Sequence, residues 1–572
     1  MDRKEIAQIL KEIGTMLELL GESPFKSRAY YNGARTVELL TEDIEELVRQ
    51  DRLKEVKGIG KTLDEKIKEL INTGRLEYYE RIREKVPSGL FDLLKIPGLG
   101  PKKVRALHQN LGITTLGELE YSCIENRLVK LPGFGEKTQK KTLEGIQYLK
   151  KNRGRYLYPK ALDKALALAD GLRESELVSR ISIAGSLRRK VETVKDIDIL
   201  ASGDYPDGIM DAFADLPWVE KVIERGGSKL GALLDSGIRV DLRVVNDSQF
   251  PFALHHFTGS KEHNTAMRHR AKGLGLKINE YGIFSEDGRE SAECADEAEF
   301  FEHLGLLYIP PELRENTGEI EAAEKGTLPR LVEYKDIKGI FHIHTRYSDG
   351  TSSIEDMARK AMEMGMHYIG ISDHSRSAYY AGGLKVEDVL RQREEIEKLN
   401  GLYTDFRIFA GIESDILTDG SLDYPDEILA TFDFVIASVH SVFTMDRDTM
   451  TQRLIRALEN PYVTMLGHPT GRLILAREGY PVDLERIIET AAGLGRVIEL
   501  NANPYRLDLD WRWCRRAKEM GVRISINPDA HSPEGLEDMV YGVDAARKGW
   551  LEALDVFNCI PLEQMEGLLR KT

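Results

Sequence analysis

Cysteine is scarce. Cys123, Cys294, Cys514 and Cys559 are the only four in 572 residues, they lie far apart, and none forms a C-x-x-C pair. That excludes a disulfide framework and a zinc knuckle and points to reduced thiols in a reducing compartment. Long apolar runs are also missing: no stretch of 18 apolar residues occurs, so neither a membrane span nor a membrane partner is expected. The opening Met1-Asp2-Arg3-Lys4-Glu5 lacks the apolar core of a signal peptide and runs straight into a helical pattern, which makes the cytoplasm the expected location. What the chain does have is length. It exceeds what one hydrophobic core can organise, and three to five domains are expected. With 41% hydrophobic and 31% charged residues, the composition is that of a globular protein.

A net charge of −15 argues against a nucleic-acid partner until its distribution is considered. Residues 1–155 hold 30 Lys+Arg against 24 Asp+Glu, whereas the remainder holds 50 against 71. The first part can therefore lie on phosphates although the whole chain is acidic. Three similar segments occur within it: Val56-Lys57-Gly58-Ile59-Gly60-Lys61, Ile96-Pro97-Gly98-Leu99-Gly100-Pro101 and Leu131-Pro132-Gly133-Phe134-Gly135-Glu136. Each is an apolar residue, then G-x-G, then a Lys-rich helical stretch. The glycines permit a tight turn between helices and bring backbone N–H groups to a helix start, where a phosphate can be held. The pattern resembles the helix-hairpin-helix motif. A plain turn between packed helices is the alternative for one copy, but three copies favour gripping a DNA backbone without sequence readout.

From about residue 156 to 320 β-type runs appear at 180–184, 196–200 and 239–245, separated by helical and turn segments, as in an α+β domain. Residues 311–334 read as a polar linker. Seven short apolar runs then follow at 339–343, 368–371, 407–412, 434–437, 463–466, 497–500 and 523–526, with helical segments between most of them. Buried parallel strands alternating with helices predict a β/α barrel, irregular because it has seven units rather than eight.

Two constellations carry chemistry. Asp196 and Asp198 flank Ile197 on a predicted strand, so both carboxylates point to one face, and Asp241 lies in a second run able to pair alongside. Three converging carboxylates need hard cations between them. Mg²⁺ suits such ligands, and two ions can activate a 3′-hydroxyl and stabilise leaving pyrophosphate. On its own, D-x-D reads more often as a solvated strand edge. Gly185-Ser186-Leu187-Arg188-Arg189 just upstream adds backbone N–H, hydroxyl and guanidinium donors for a phosphate. In the C-terminal part, His342, His344, Asp349, His374, Glu413, His440, His468, Asp529 and His531 all fall at or just after strand ends, the rim where a barrel builds its site. A single histidine there is usually packed or solvated; nine imidazole and carboxylate groups at one rim are not a chance set. The mixture suits Zn²⁺ or Mn²⁺ better than Mg²⁺ and is large enough for up to three ions. His367, before a strand, is read as structural.

The segment Gly185–Arg189 followed by Asp196-Ile197-Asp198 resembles the nucleotidyltransferase signature of family X DNA polymerases. His256-Phe257-Thr258-Gly259-Ser260 is similar to that family's Tyr-Phe-Thr-Gly-Ser segment, which packs on the incoming sugar. Asn264, Arg268 and Ile278-Asn279-Glu280-Tyr281 fall where the family's thumb meets the template and minor groove. His256 stands in place of tyrosine, which bears on ribose discrimination. Lys261 replaces an acidic residue near the base, and Lys195 replaces a glycine. The resemblance implies nucleotide contacts from Gly185, Ser186, Arg188, Arg189, Lys195, Arg239, His256, Phe257, Gly259, Lys261 and Asn264. It implies DNA contacts from Lys26, Tyr30, Gly58, Gly60, Gly98, Gly100, Gly133, Gly135, Arg268 and Tyr281. Lys66 falls at the family's Schiff-base lysine, where it acts as a lyase only if its pKa is depressed; a solvated helix lysine is the equal alternative.

The barrel ligands resemble those of the polymerase and histidinol phosphatase (PHP) superfamily, with Asp349 where some members have histidine. This resemblance places His342, His344, Glu413 and Asp529 on one ion, makes Glu413 a bridge to a second held with His440 and His468, and gives Asp349, His374 and His531 a third. Glu413 and His440 are the expected catalytic members.

The expected architecture is multidomain: helical residues 1–85 and 86–155 with helix-hairpin-helix motifs, a palm at 156–250, a thumb at 251–315, a linker at 316–335 and an irregular (β/α)₇ PHP barrel at 336–572. The implied activity is DNA polymerisation into short gaps during base excision repair. A metal-dependent 3′–5′ exonuclease and abasic-site cutting in the barrel are implied beside it. The expected cofactors are two Mg²⁺ or Mn²⁺ at the palm and Zn²⁺ or Mn²⁺ at the barrel. The expected partners are gapped or nicked duplex DNA and deoxynucleoside triphosphates, and the chain is expected to be a monomer associated with the nucleoid. The rivals are a phosphoesterase whose palm only binds nicked DNA, disfavoured by the intact Asp196, Asp198 and Asp241, and a non-enzymatic scaffold, which needs neither ligand set.

Overall fold

The computed structural model describes residues 3–40, 42–124, 127–152, 154–285 and 290–569. It divides into two compact units, Met1–Arg153 and Gly154–Thr572.

The first unit is helical throughout its described residues. Its opening helix Arg3–Leu20 buries Ile6, Leu10, Ile13 and Leu17, a stripe at the three-to-four-residue spacing that puts side chains on one face. The next helix, Pro24–Glu38, starts cleanly because the Ser23 side chain accepts from the Phe25 N–H and Pro24 supplies a preset φ. A single core runs from Ile6 to Ile146, so the segments 1–85 and 86–155 pack as one body. The three G-x-G segments fold alike. In each, the residue between the glycines (Ile59, Leu99, Phe134) is buried and donates its backbone N–H to the carbonyl three residues back. The first glycine of each takes a positive φ (+102° at Gly58, +84° at Gly98, +82° at Gly133), a conformation a side chain would strain.

The second unit begins with a five-stranded palm sheet in the order Arg180–Ile183, Asp196–Ser202, Arg239–Val245, Lys229–Leu234, Val219–Arg225. The last two strands are absent from the sequence-based expectation. Val219–Arg225 is almost wholly exposed and therefore carries no apolar face to announce it. Helices Tyr158–Arg173 and Pro206–Ala214 cover one side of the sheet. The thumb follows, with helices Phe250–Thr258, Lys261–Gly273 and Glu297–His303 and a three-stranded antiparallel sheet of Leu276–Asn279, Gly282–Ser285 and Glu290–Ala292.

Residues 316–335 are not a free linker. They hold the helix Glu319–Lys325, and the Glu319 carboxylate is fully buried against His263 Nδ1 at 2.6 Å. Arg314 is likewise 0% exposed. Their polarity reflects buried ion pairs rather than solvation, which sequence pattern alone does not distinguish.

The barrel strands are Gly339–Ile343, Tyr368–Ile371, Arg407–Asp415, Phe434–Ser438, Met465–Leu466, Val497–Asn501 and Ile524–Asn527, parallel and ordered as in the chain. The first and last approach through the bridge Ile343–Ala530, which nearly closes the barrel. Phe341, Tyr368, Phe409 and Phe434 fill its interior below the ligand rim, with Phe557 packed among them. The floor is thus a packed core and the site opens only at the carboxyl ends of the strands. No helix among the described residues is long and apolar enough to cross a membrane.

Candidate active sites

Asp196 and Asp198 alternate with buried Ile197 and Ile199 on their strand. Parallel pairing sets Asp198 directly opposite Asp241, and Asp196 opposite Arg239. The turn at Gly185 closes over this pair: Gly185 has φ +61°, and a Cβ there would stand 2.0 Å from Asp198 Oδ2. Only glycine fits. Burial, then the neighbouring Asp196 and Asp241 charges, raise the Asp198 pKa to about 7. That electrostatic cost is what a divalent ion relieves, so the donor set fits the expected cations. Arg239 Nη2 lies 3.1 Å from Asp241 Oδ1 and pairs with the cluster while staying partly exposed.

The two signature arginines are engaged. Arg188 forms a paired contact with Glu297, which Arg314 also holds at 2.6 Å, and donates to Thr258 Oγ1. This is a clasp between palm and thumb that takes up the Nη1 end of the Arg188 guanidinium. Arg189 donates to the Thr258 carbonyl at 2.6 Å and to Glu315 at 3.0 Å. Its charge pulls the Asp198 carboxyl pKa down, opposing the effect of burial. Ser186 is half-buried in the same turn, and Gly259 takes φ +70° with Arg189 Nη1 3.1 Å from where its Cβ would stand. Asn264 donates to the His256 carbonyl at 2.7 Å, and His256 faces Glu280 at 3.8 Å. Arg243 lies over the Phe257 ring. Lys195, Lys261, Arg268 and Tyr281 are exposed, as ligand contacts require.

In the helical unit, Lys66 Nζ sits 3.4 Å above the Tyr78 ring, and burial lowers its pKa. Tyr30 is 4% exposed and stacks on the other contact of that pair, Tyr78. Its ring therefore backs the Tyr78 platform on which Lys66 sits. Lys26, exposed, pairs with Glu22 at 3.4 Å.

All nine barrel residues meet at one rim. Glu413 is the hub: its Oε1 lies 3.2, 3.1 and 3.0 Å from the Nε2 atoms of His342, His440 and His468. Its Oε2 lies 2.8 Å from His374 Nδ1 and 3.6 Å from His344 Nε2. Asp529 Oδ1 stands 3.6 and 3.2 Å from His342 and His344 Nε2. Asp349 Oδ1 stands 3.3 and 3.7 Å from His531 and His374 Nε2. His374 thus faces both Glu413 and Asp349. His342 Nε2, both His344 ring nitrogens and Glu413 Oε2 are buried without a hydrogen bond. Buried imidazoles oriented toward carboxylates fit cations between them. His342, His468 and Asp529 have φ of 57°, 24° and 54°, a strained conformation for residues with side chains.

The supports were not expected from sequence. Glu499 Oε1 is 2.5 Å from His342 Nδ1, and Asp415 Oδ1 is 2.6 Å from His440 Nδ1. Each holds the histidine by the nitrogen that faces away from the site, as outer-shell carboxylates do. A signal existed for Asp415, which lies two residues beyond Glu413 on the same strand face. Asp373 accepts from Thr345, Ser348 and Gln392 and so anchors the loop that carries Asp349. Arg506 approaches Asp529 at 3.5 Å. His367 is exposed at the opposite end of its strand.

The raised Asp198 pKa has a stability consequence. Between about pH 4 and 7 the unfolded chain releases this proton and the folded one keeps it, so the group's contribution to metal-free stability falls as pH rises, with the full cost present above pH 7. Asp198→Asn is expected to melt about 2–4 °C above the parent at pH 8 in chelator, from ~2 kcal/mol after solvent screening, and to match it near pH 4. Equal melting temperatures at pH 8 contradict this.

The chain matches four protein families: a helix-hairpin-helix domain over residues 1–76, a SAM-like helix-hairpin-helix tandem over 90–147, the DNA polymerase beta thumb over 253–315 and a PHP domain over 341–503. It is 35% identical over 207 residues to a probable phosphatase of Caldanaerobacter subterraneus subsp. tengcongensis, covering 33% of this chain and 74% of that one. It is 42% identical over 90 residues to the human DNA-directed DNA/RNA polymerase mu, covering 16% of this chain and 18% of that one. With the Bacillus subtilis (strain 168) DNA polymerase/3′-5′ exonuclease PolX it shares 40% identity over 573 residues, 100% of both chains. Full-length identity at that level, joined to a palm acid triad and a nine-residue barrel rim, means that this chain belongs to the PolX family, the family X DNA polymerases that carry a C-terminal PHP domain.

Proposed function

We propose that this chain extends DNA 3′ ends into short gaps at its palm and removes nucleotides from 3′ ends at its barrel. DNA polymerase activity with a 3′–5′ exonuclease is the activity of its family. The observation that carries the reading is the presence of two separate ligand centres in one compact unit, Asp196–Asp198–Asp241 and the Glu413 hub.

Two Mg²⁺ or Mn²⁺ ions at the palm would supply charge neutralisation for the incoming deoxynucleoside triphosphate; Zn²⁺ or Mn²⁺ at the barrel would supply water activation and neutralisation of the scissile phosphate. The chain's own groups arrange the reactants. Asp198 and Asp241 present carboxylates from adjacent strands, the Gly185 turn packs closely against Asp198 and fixes its position, and Arg189 adds positive charge beside it. At the barrel, Glu499 and Asp415 orient His342 and His440, and Arg506 offers a cation to the phosphodiester. Incision at abasic sites is proposed for the same barrel centre.

The hairpins support DNA binding. Gly60, Gly100 and Gly135 have no positive φ and a Cβ on them would meet nothing within 4 Å, so neither backbone conformation nor internal packing explains those glycines. Gly60 and Gly100 cap their helices without a side-chain hydrogen bond, leaving N–H groups for phosphate. Lys66 on its aromatic platform is proposed to meet the sugar at the downstream 5′ end. The chain is proposed to act as a monomer, in the cytoplasm and on the nucleoid.

The test is a labelled gapped duplex with and without nucleotides. Gap filling is expected with them and shortening without them. Affinity should be higher with a 5′-phosphate in the gap and should fall with salt through counterion release. Equal affinity for phosphorylated and unphosphorylated gaps would remove the hairpin reading, and a primer that neither grows nor shortens would remove the whole.

A further inference from the structure

The barrel does more than sit beside the palm. Its helix Met539–Lys548 ends in Lys548, whose side chain is 0% exposed and whose Nζ has three acceptors: the Arg189 carbonyl at 3.1 Å, the Glu312 carbonyl at 3.3 Å and Glu315 Oε1 at 2.5 Å. An ammonium has three N–H bonds, and all are used. Two of these acceptors lead to the polymerase site. The Arg189 carbonyl closes the turn that begins at Gly185 against Asp198. Glu315 Oε1 is the same oxygen that receives Arg189 Nε at 3.0 Å. The surroundings strengthen the joint: Lys190 pairs with Asp544 at 2.5 Å on that barrel helix, and Arg547 pairs with Glu312 at 2.7 Å. Glu192, two residues further along, receives Trp511 and Arg512 from the preceding barrel helix, Trp511–Glu519.

We propose that Lys548, a barrel residue, is a positioning residue of the polymerase site: it pins the Gly185–Arg189 turn and shares Glu315, so that Arg189 remains available to the phosphates of the incoming nucleotide. The charges decide the argument. With Lys548 present, one carboxylate faces two cations. Without it, Glu315 is a partly buried anion, 18% exposed, whose compensation falls to Arg189, and a charge with so little solvent around it holds the guanidinium more tightly. A nucleotide must then compete with Glu315 for Arg189. Lys548 is on the helix that follows the seventh barrel strand, while the nuclease ligands lie at strand ends, so the effect falls on the palm. The inference rests on the polymerase reading of the palm and deepens it.

The experiment compares Lys548→Met, Glu315→Gln and the double variant as full-length proteins, each checked by thermal melting. Single-nucleotide gap filling is measured over a range of nucleotide concentration, and degradation of a labelled single strand is measured in parallel. Lys548→Met is expected to raise the nucleotide KM about 5–20-fold with kcat within twofold and degradation unchanged. The double variant, with no anion left to sequester Arg189, is expected to return KM to within twofold of the parent. That rescue separates a charge-positioning role from a packing role, because removing a second buried polar contact worsens packing. A parental KM in Lys548→Met, or a double variant as impaired as the single one, overturns the inference. If Lys548→Met does not fold, Glu315→Gln carries the test: its KM is expected to fall below the parental value, and an equal or higher KM overturns the proposal. Failure of the parent itself to extend the primer is a different outcome and refutes the polymerase reading instead.

Discussion

Asp241→Ala is expected to lower nucleotide addition by about three orders of magnitude, corresponding to the loss of ~4 kcal/mol of charge stabilisation at the reacting phosphate. Asp241 is paired in register with Asp198 on the adjacent parallel strand, so its loss removes one wall of the ion site. It also frees Arg239 and Lys229, which face Asp241 at 3.1 and 4.0 Å, to occupy the space with positive charge and repel a divalent ion. The fold is expected to persist, because Asp241 alternates with buried Val240 and Leu242 that hold the strand in the core. Degradation of a labelled 3′ end should proceed at the parental rate, since the barrel has its own ligands. Gap filling at the parental rate by a folded Asp241→Ala protein removes the acidic triad as the polymerising centre.

Glu413→Gln and His440→Ala are expected to do the reverse, lowering 3′-end degradation by about three orders of magnitude and leaving gap filling in Mg²⁺ within twofold. Glu413 matters most because its two oxygens face five histidines. An amide in its place gives up the negative charge that lets ions sit among imidazoles. Protonation adds a further handle. Burial pulls the His440 pKa down, but the Glu413 and Asp415 charges outweigh it and hold the metal-free group at about 10; the Asp349 and Asp529 charges hold His531 at about 9 against the same burial. Ions must displace these protons, so apparent metal affinity at the barrel should rise with pH up to about 9–10 and degradation should weaken in mild acid. After chelation, Mn²⁺ should restore degradation better than Mg²⁺, given the imidazole-rich set. The measurement is shortening of a labelled primer without nucleotides. If either variant still shortens it at the parental rate, the rim is not the nuclease.

Much of this was legible in the residue order because the relevant chemistry is local. The seven barrel strands are short apolar runs, and the structure moves their ends by only a few residues; the third extends to Asp415 and so carries Glu413 and its neighbour's support on one strand. Nine candidate ligands could be picked out because a parallel barrel sends every strand end to one rim. The D-x-D pair could be read because strand geometry places i and i+2 on the same face. The hairpins repeat a glycine whose positive φ is a property of the turn itself. What stayed hidden depends on distant partners. Arg188 and Arg189 read as phosphate donors, and the sequence holds no sign that Glu297 and Glu315, more than 100 residues later, would stand beside them.

The residue order alone determined the repeated G-x-G turns, the seven apolar runs of the barrel, the acidic pair on one strand and the inventory of metal-type side chains, since each follows from periodicity, turn chemistry or spacing within one element; the palm and thumb were legible only through a family resemblance. Only the tertiary structure decided which side chains serve each other. It set Asp198 against Asp241, made Glu413 the centre of five histidines, and turned the expected linker into a buried ionic seam at Glu312, Arg314, Glu315 and Glu319. The reason is that a charge's role is set by what surrounds it: a glutamate in water and a glutamate closed between Lys548 and Arg189 are the same letter, and only packing tells them apart.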